Sequence, residues 1–309
     1  MTIQEYSRKL NRDIHYRIFQ SNHFESTFGD YEKCFTSLDL IEDCEDAIDE
    51  FLGLPESNLP KRSVLYIYGV LQAIYCQQDG LFGLHKNISK SKFKKLNEFF
   101  SHFEFDTEIR EIRNDIAGHP TSRKRDSEFY FIDKGPNSKF RFSYAGYKPE
   151  FRIVEVDLKY LIEEQEKFAK RVLQEVDTII KCTVKEHKND NKDISLYSII
   201  SNLNYSIQLI NRGIHDSQRS FQAEGSINIV SDKIDEFRNE LNSRYCNSIP
   251  EGLEYTCNNI DYILKRVGKW YDEGKLLENE DAKIFMIAFD KEFDDLKQMA
   301  EEIDLEYRT

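Results

Sequence analysis

The sequence predicts a mainly α protein: a helical-bundle domain carrying an inserted β-hairpin, followed by a second, four-helix bundle. Three observations carry this expectation. Apolar residues recur at helical spacing over most of the chain. The period switches to two only around residues 128–156. The last part holds four segments whose apolar seams step by four and three. The polar stretch Lys188-Asn189-Asp190-Asn191-Lys192-Asp193 is the expected boundary, giving a first domain over 1–190 and a second over 191–309.

Residues 3–20 and 30–53 read as amphipathic helices, and Pro55 and Pro60 punctuate the turn after them. Residues 61–79 form a strongly apolar helix. Val64, Ile67, Leu71 and Ile74 lie on one stripe and more apolar residues on the others, the pattern of a helix central in its bundle. Residues 90–103 and 106–118 follow as a helical pair, the second with Ile109, Ile112 and Ile116 as its buried stripe. Glu128 to Ile132 and Lys139 to Tyr144 then alternate around Gly135-Pro136-Asn137-Ser138, a hairpin signature, and Phe151 to Val156 adds a third short strand. A long helix resumes near Leu158 and runs to about His187. The four closing seams read Leu196 to Ile214, Val230 to Leu241, Leu253 to Tyr271 and Ala282 to Ile303, as in an antiparallel four-helix bundle.

The chain has 309 residues, 39% hydrophobic and 32% charged, as in a soluble globular protein. Its start, Met1-Thr2-Ile3-Gln4-Glu5, lacks the apolar core of a secretory signal. Val64 to Cys76 is the longest apolar run and too short to span a membrane. The six cysteines form no C-x-x-C pair, which argues against zinc and against a disulfide framework and fits a reducing cytoplasm. No phosphate-binding loop, dinucleotide fingerprint or H-E-x-x-H occurs, so neither metal nor cofactor is expected. A net charge of −13 disfavours non-specific nucleic-acid binding. The sign is uneven, however. Lys86, Lys90, Lys92, Lys94 and Lys95 crowd one segment without an acid, and Arg123, Lys124 and Arg125 form another; the last helix is strongly acidic.

Between the two basic segments lies Glu111-Ile112-Arg113-Asn114-Asp115-Ile116-Ala117-Gly118-His119-Pro120. Arginine with histidine is a minimal kit for cleaving a phosphodiester without metal. The bare spacing is weak evidence, because the chain makes it three times: Arg8 with His15, Arg17 with His23 and Arg113 with His119. Three features set the last apart. A polar residue, Asn114, follows the arginine. Arg113 has no acid three or four residues away, whereas Arg110 has Asp106 four back. It also flanks the isoleucine stripe, so its guanidinium emerges at the edge of a core face. The competing reading is an ordinary helix end: Gly118 and Pro120 stop a helix, and Asp115 with His119 makes a terminal ion pair.

This run, closing a helix that follows the long apolar Leu65–Asp79 helix, resembles the signature of HEPN-domain ribonucleases: an arginine, a polar residue, then a histidine a few positions on. The resemblance covers roughly residues 25–187; the C-terminal bundle lies outside it. It implies a metal-independent endoribonuclease acting on RNA at a composite site formed across a homodimer, of the kind found among toxins and anti-phage defence effectors. His119 would be general base or acid, Arg113 would hold the scissile phosphate, and Asn114 would position either one. Asp115 would orient the ring, with Asp79 and Gln78 in support. Lys92, Lys94, Lys95, Arg123, Lys124 and Arg125 would hold RNA, and the C-terminal bundle would meet a regulatory or sensor protein. The alternative is a non-catalytic helical interaction or RNA-binding protein in which Arg113 and His119 are structural.

Overall fold

The chain is mainly helical with one small antiparallel sheet, and it divides into two compact units: residues 1–16 with 27–181, and residues 17–26 with 182–309. The computed structural model describes residues 1–15, 26–55, 63–90, 93–118, 120–121, 128–133, 138–147, 150–216 and 220–308.

Unit 1 opens with α1 (Ile3–Ile14). Thr2 starts it by accepting the Glu5 N–H at 3.1 Å while the Glu5 carboxylate accepts the Thr2 N–H at 2.8 Å, a reciprocal cap. The helix ends at Ile14 with His15 as its C-cap, short of the expected end at 20; residues 16–20 lie outside the described set. Helix α2 (Tyr31–Gly53) is capped by Asp30, whose carboxylate accepts the Lys33 N–H. Its partner α3 (Ser63–Ile88) runs well past the expected end at 79. Glycine explains both the length and the packing. A Cβ on Gly80 would meet the Ser37 carbonyl oxygen at 3.2 Å, and one on Gly83 would meet Ser37 Oγ at 2.8 Å. These glycines do not stop the helix; they let it lie closely against α2.

The expectation of a helix buried all round needs correcting. Ile67, Leu71 and Ile74 are buried, but Val64 is 42% exposed, Leu65 67% and Tyr68 37%, so one face of the N-terminal half of α3 is open in a single chain. Short α4 (Leu96–His102) and α5 (Glu108–Arg113) follow, the latter passing into a π-helical turn over Asn114–Gly118. Ile109, Ile112 and Ile116 join the core, as their spacing requires.

Strands β1 (Phe129–Ile132), β2 (Arg141–Tyr147) and β3 (Phe151–Asp157) form an antiparallel sheet in that order, with Tyr130 opposite Gly146 and Gly146 opposite Arg152. Tyr130, Ile132, Phe142, Tyr144 and Val156 point into the core shared with α2, α3 and α5. Lys139 ties the sheet to α2: its buried ammonium donates to the Leu54 carbonyl at 2.7 Å and to that of Leu52, at the helix end where carbonyls lack partners. Residues 134–137, the centre of the expected hairpin turn, lie outside the described set.

Helix α6 (Leu158–Asn191) continues straight from the sheet. The polar stretch read as a boundary belongs in large part to this helix, and the division between units falls earlier, at Lys181 and Cys182. Solvated lysines and asparagines on an exposed helix end look like a linker because both are polar.

Unit 2 holds α7 (Leu196–Ile200) with a 3-10 turn (Ser201–Leu203), α8 (Asn204–His215), α9 (Ser220–Arg244), α10 (Glu251–Asp272) and α11 (Glu280–Arg308). Every seam residue quoted from the sequence by name is buried except Tyr271, which is half-buried. Asp304 on α11 accepts the Ser195 hydroxyl at 2.7 Å and the N–H groups of Leu196 and Tyr197 at 2.9 and 3.0 Å, capping α7 from a distant helix. It also lies 3.7 Å from the guanidinium of fully buried Arg244. No described helix is long and apolar enough to cross a membrane.

Two outcomes follow. Asp304→Ala takes one of two carboxylates from buried Arg244, which keeps Glu240 at 2.8 Å, and leaves the Leu196 and Tyr197 N–H groups without their acceptor, a loss of about 2 kcal/mol in unit 2. Trp270, the chain's single tryptophan, lies in α10, so its fluorescence during urea unfolding reads unit 2 and should show a lower midpoint.

The second concerns His85, which is buried in unit 1 with its Nε2 3.0 Å from Glu175 Oε1; His102 Nε2 lies 3.2 Å from Glu175 Oε2. Burial lowers the His85 imidazole against the pull of Glu175. Burial raises Glu175, but the bonds from His85 and His102 outweigh it and hold the carboxyl low. Both shifts have the same consequence: on acidification the unfolded chain takes up protons that the folded one resists. Stability contributed by His85 is full above about pH 6.5 and falls below it, followed by that of Glu175 further down. Protection factors of α4 amides, corrected for the intrinsic exchange rate at each pH, should fall from pH 7.5 to 5.5, and less so in His85→Gln.

Candidate active site

Arg113 is the last residue of α5, and its guanidinium turns back over α3. Its Nε and Nη2 both donate to Gln72 Oε1, at 3.0 and 2.8 Å, and its Nη1 donates to Asn114 Oδ1 at 3.1 Å. The guanidinium carbon stands 4.3 Å from the centre of the Tyr75 ring. All these partners are uncharged. Among the described residues no carboxylate lies within 4.0 Å of this guanidinium. Arg113 is thus held in place without being neutralised, and it stays half-exposed.

Arg110, one turn earlier, is the contrasting case. It too lies over Tyr75, at 3.7 Å, but is buried, and its Nη1 donates to Asp79 Oδ1 at 3.0 Å, to Gln78 Oε1 at 3.3 Å and to the Tyr75 carbonyl at 3.3 Å. Asp106, the partner expected from helical spacing, instead accepts the Glu108 N–H at 2.9 Å. Of two arginines sharing one tyrosine, Asp79 compensates Arg110 and leaves Arg113 free to meet an anion.

The π-helical turn shapes this arrangement. Pro120 lacks an N–H and its ring opposes the carbonyl four residues back, so an α-helix cannot pass through it. The wider turn before it brings Gly118 beneath Arg113: a Cβ there would stand 2.8 Å from Arg113 Nη1 and 3.3 Å from Asn114 Oδ1. Glycine at 118 makes room for the guanidinium, a role apart from stopping the helix. Asp115 is buried and accepts the Tyr144 hydroxyl from β2 at 3.3 Å. The Pro120 carbonyl accepts the Tyr130 N–H at 2.7 Å, joining the chain after the turn to β1.

His119 lies outside the described residues, between Gly118 and Pro120. Lys92, Arg123, Lys124 and Arg125 lie outside them as well. Lys94 and Lys95 are exposed at the start of α4. Gln78 and Asp79 sit well inside α3 rather than at its end, and both serve Arg110, not Arg113. The residues that seat Arg113 were not anticipated. Gln72 and Tyr75 come from the apolar helix, and Gln72, Gln77 and Gln78 are its only amides between Leu65 and Asp79. Buried Gln77 and Gln78 each need a partner, which an apolar helix makes noticeable, but exposed Gln72 and half-buried Tyr75 carry no such signal.

No group of three or more His, Cys, Asp or Glu among the described residues is placed to hold a metal ion. No protein-family model, curated protein or solved structure matches the chain.

Gly118→Ala is the sharpest probe of this seat. Alanine is favoured over glycine in a helix by about 1 kcal/mol, so thermal stability should hold. The Arg113 Nε–Hε resonance should nevertheless move, because the guanidinium can no longer occupy its place.

Proposed function

We propose that the chain is a metal-independent endoribonuclease of HEPN type, acting at a site completed by a second copy. The observation that carries this reading is the Arg113 seat: a guanidinium oriented by two amide oxygens and an aromatic ring, uncompensated by any described carboxylate, six positions before His119. A structural arginine usually lies against an acid, as Arg110 does. An oriented, uncompensated one suits a phosphate, whose oxygens match its planar donors.

In the proposed reaction His119 takes the proton of a ribose 2′-OH and the 2′-oxygen attacks the adjacent phosphorus. The 2′-O–P bond forms as the P–O5′ bond breaks, leaving a 2′,3′-cyclic phosphate. The departing 5′-oxygen takes a proton from a histidine in its imidazolium form. Histidine suits both transfers because its reference pKa is about 6.5. Arg113 offsets the charge that builds on the phosphoryl oxygens.

The open face of α3 supports pairing. Leu65 and Tyr68 are exposed on the side that continues to exposed Gln72, which holds Arg113. A second copy covering this stripe would bring two Arg113–His119 runs to one cleft. The toxin or defence role belongs to the same proposal.

The test is cleavage of single-stranded RNA with EDTA present, by wild type, Arg113→Ala and His119→Ala, alongside light-scattering mass. Wild type should cut as a dimer and each substitution should lower the rate by at least about a hundredfold. Activity that survives both substitutions removes the proposal. RNA binding without cleavage in any sample, lost in Arg113→Ala, assigns the chain to the non-catalytic RNA-binding class instead.

A further inference from the structure

Three buried carboxamides form a continuous hydrogen-bonded chain through unit 1. Gln77 Nε2 donates to Glu45 Oε2 at 2.7 Å, Gln165 Nε2 to Gln77 Oε1 at 2.8 Å, and Gln78 Nε2 to Gln165 Oε1 at 2.8 Å. Arg110 Nη1 then donates to Gln78 Oε1 at 3.3 Å. Gln77, Gln78 and Gln165 are each 1% exposed or less. Three amides in a row can satisfy one another in either direction. Here the ends decide: an ionised carboxylate only accepts and a guanidinium only donates, so every amide must face its N–H groups toward Glu45 and its oxygen toward Arg110. In a dry interior each bond polarises the next.

The two ends differ in surroundings. At one end Glu45 borders a cavity of about 140 Å³ lined by Thr2, Gln4, Asp49 and Glu166 among others, so a proton can reach it. Asp49 on its own helix and Glu166 and Lys170 on α6 are the charged groups that act on it. Burial raises its carboxyl, Asp49 and Glu166 add to this, and the Gln77 bond and Lys170 oppose it. At the other end Arg110 rests on the Tyr75 ring and bonds to the Tyr75 carbonyl, and Arg113 rests on the same ring.

We propose that Glu45, Gln77, Gln165 and Gln78 act as a polarised amide chain that positions Arg110 and, through Tyr75, Arg113, so that the ionisation of Glu45 sets the anion affinity of the Arg113 site. This rests on reading Arg113 as a phosphate-binding group. Glu45 and Gln165 are then positioning residues. Protonating Glu45 gives the chain an end that can donate as well as accept, and its single direction is lost.

Glu45→Gln keeps shape and hydrogen bonding but removes the charge, so it separates polarity from packing. The direct readout is the Arg110 and Arg113 Nε–Hε resonances, assigned by single Arg→Lys variants and followed from pH 8 to 5. In wild type both should move together with the Glu45 titration; in Glu45→Gln they should start displaced and lack that step. Binding is read with a mixed-sequence 2′-O-methyl oligonucleotide, which cannot be cut through its 2′-oxygen. Glu45→Gln and Gln165→Leu should each bind about fivefold more weakly at pH 8, with the Glu45→Gln melting temperature unchanged. Resonances that ignore Glu45→Gln overturn the chain. Unchanged affinity in Glu45→Gln, when Arg113→Ala does weaken binding, overturns it too. If Arg113→Ala leaves binding intact, the phosphate reading fails instead, and the resonances alone decide whether the chain positions the arginines.

Discussion

Unit 1 depends on how closely α2 and α3 approach at Gly80 and Gly83. With no Cβ at either position, the α3 backbone comes within van der Waals reach of Ser37 and Ile41. That proximity keeps α3 continuous to Ile88 and gives the remaining elements one rigid axis to pack on. Helix α5 and the inner face of the sheet share its core around Leu71 and Ile74. The same axis supplies Gln72 and Tyr75 to one arginine and Gln78 and Asp79 to another. The candidate site is therefore a by-product of helix packing as much as of the run that carries Arg113.

The electrostatics of the two arginines show how little sequence distance says about pairing. Helical spacing offers Arg110 an acid at Asp106 and offers Arg113 none. In the fold Asp106 is spent on the start of α5, and Arg110 finds its acid on α3. The expectation for Arg113 agrees with the structure for a further reason: the groups that reach it from α3 are amide and aromatic. A neutral seat costs less desolvation than an ion pair and leaves the local potential positive. Gly118 completes that seat by the absence of a side chain.

Much of the fold was legible because burial imposes a period. The seams of unit 2 are buried almost residue for residue, and alternation located β1 and β2; β3 reads as a further short run, and only Val156 of it is buried. What stayed hidden depended on contacts between distant residues. Val64 matches the spacing of the buried stripe, yet it lies at an open helix end. Lys188 to Asn191 are polar because they are solvated on a helix, not because the chain is a linker. At the site, Arg113 and Asn114 could be named from the run itself. Gln72, Tyr75 and Gln165 could not, since pairing of amides across helices leaves no mark in local spacing.

The bond from Asp304 to the start of α7 joins residues 108 apart in sequence. Ser195 caps the Ser198 N–H of α7 locally, but the Leu196 and Tyr197 N–H groups gain their acceptor only when α11 has been made. Until then the Ser195–Tyr197 backbone has open donors and Arg244 has no acid from α11 nearby. Unit 2 is thus expected to close late on the ribosome, in one concerted step rather than helix by helix, and to be the part of the nascent chain most in need of chaperone cover.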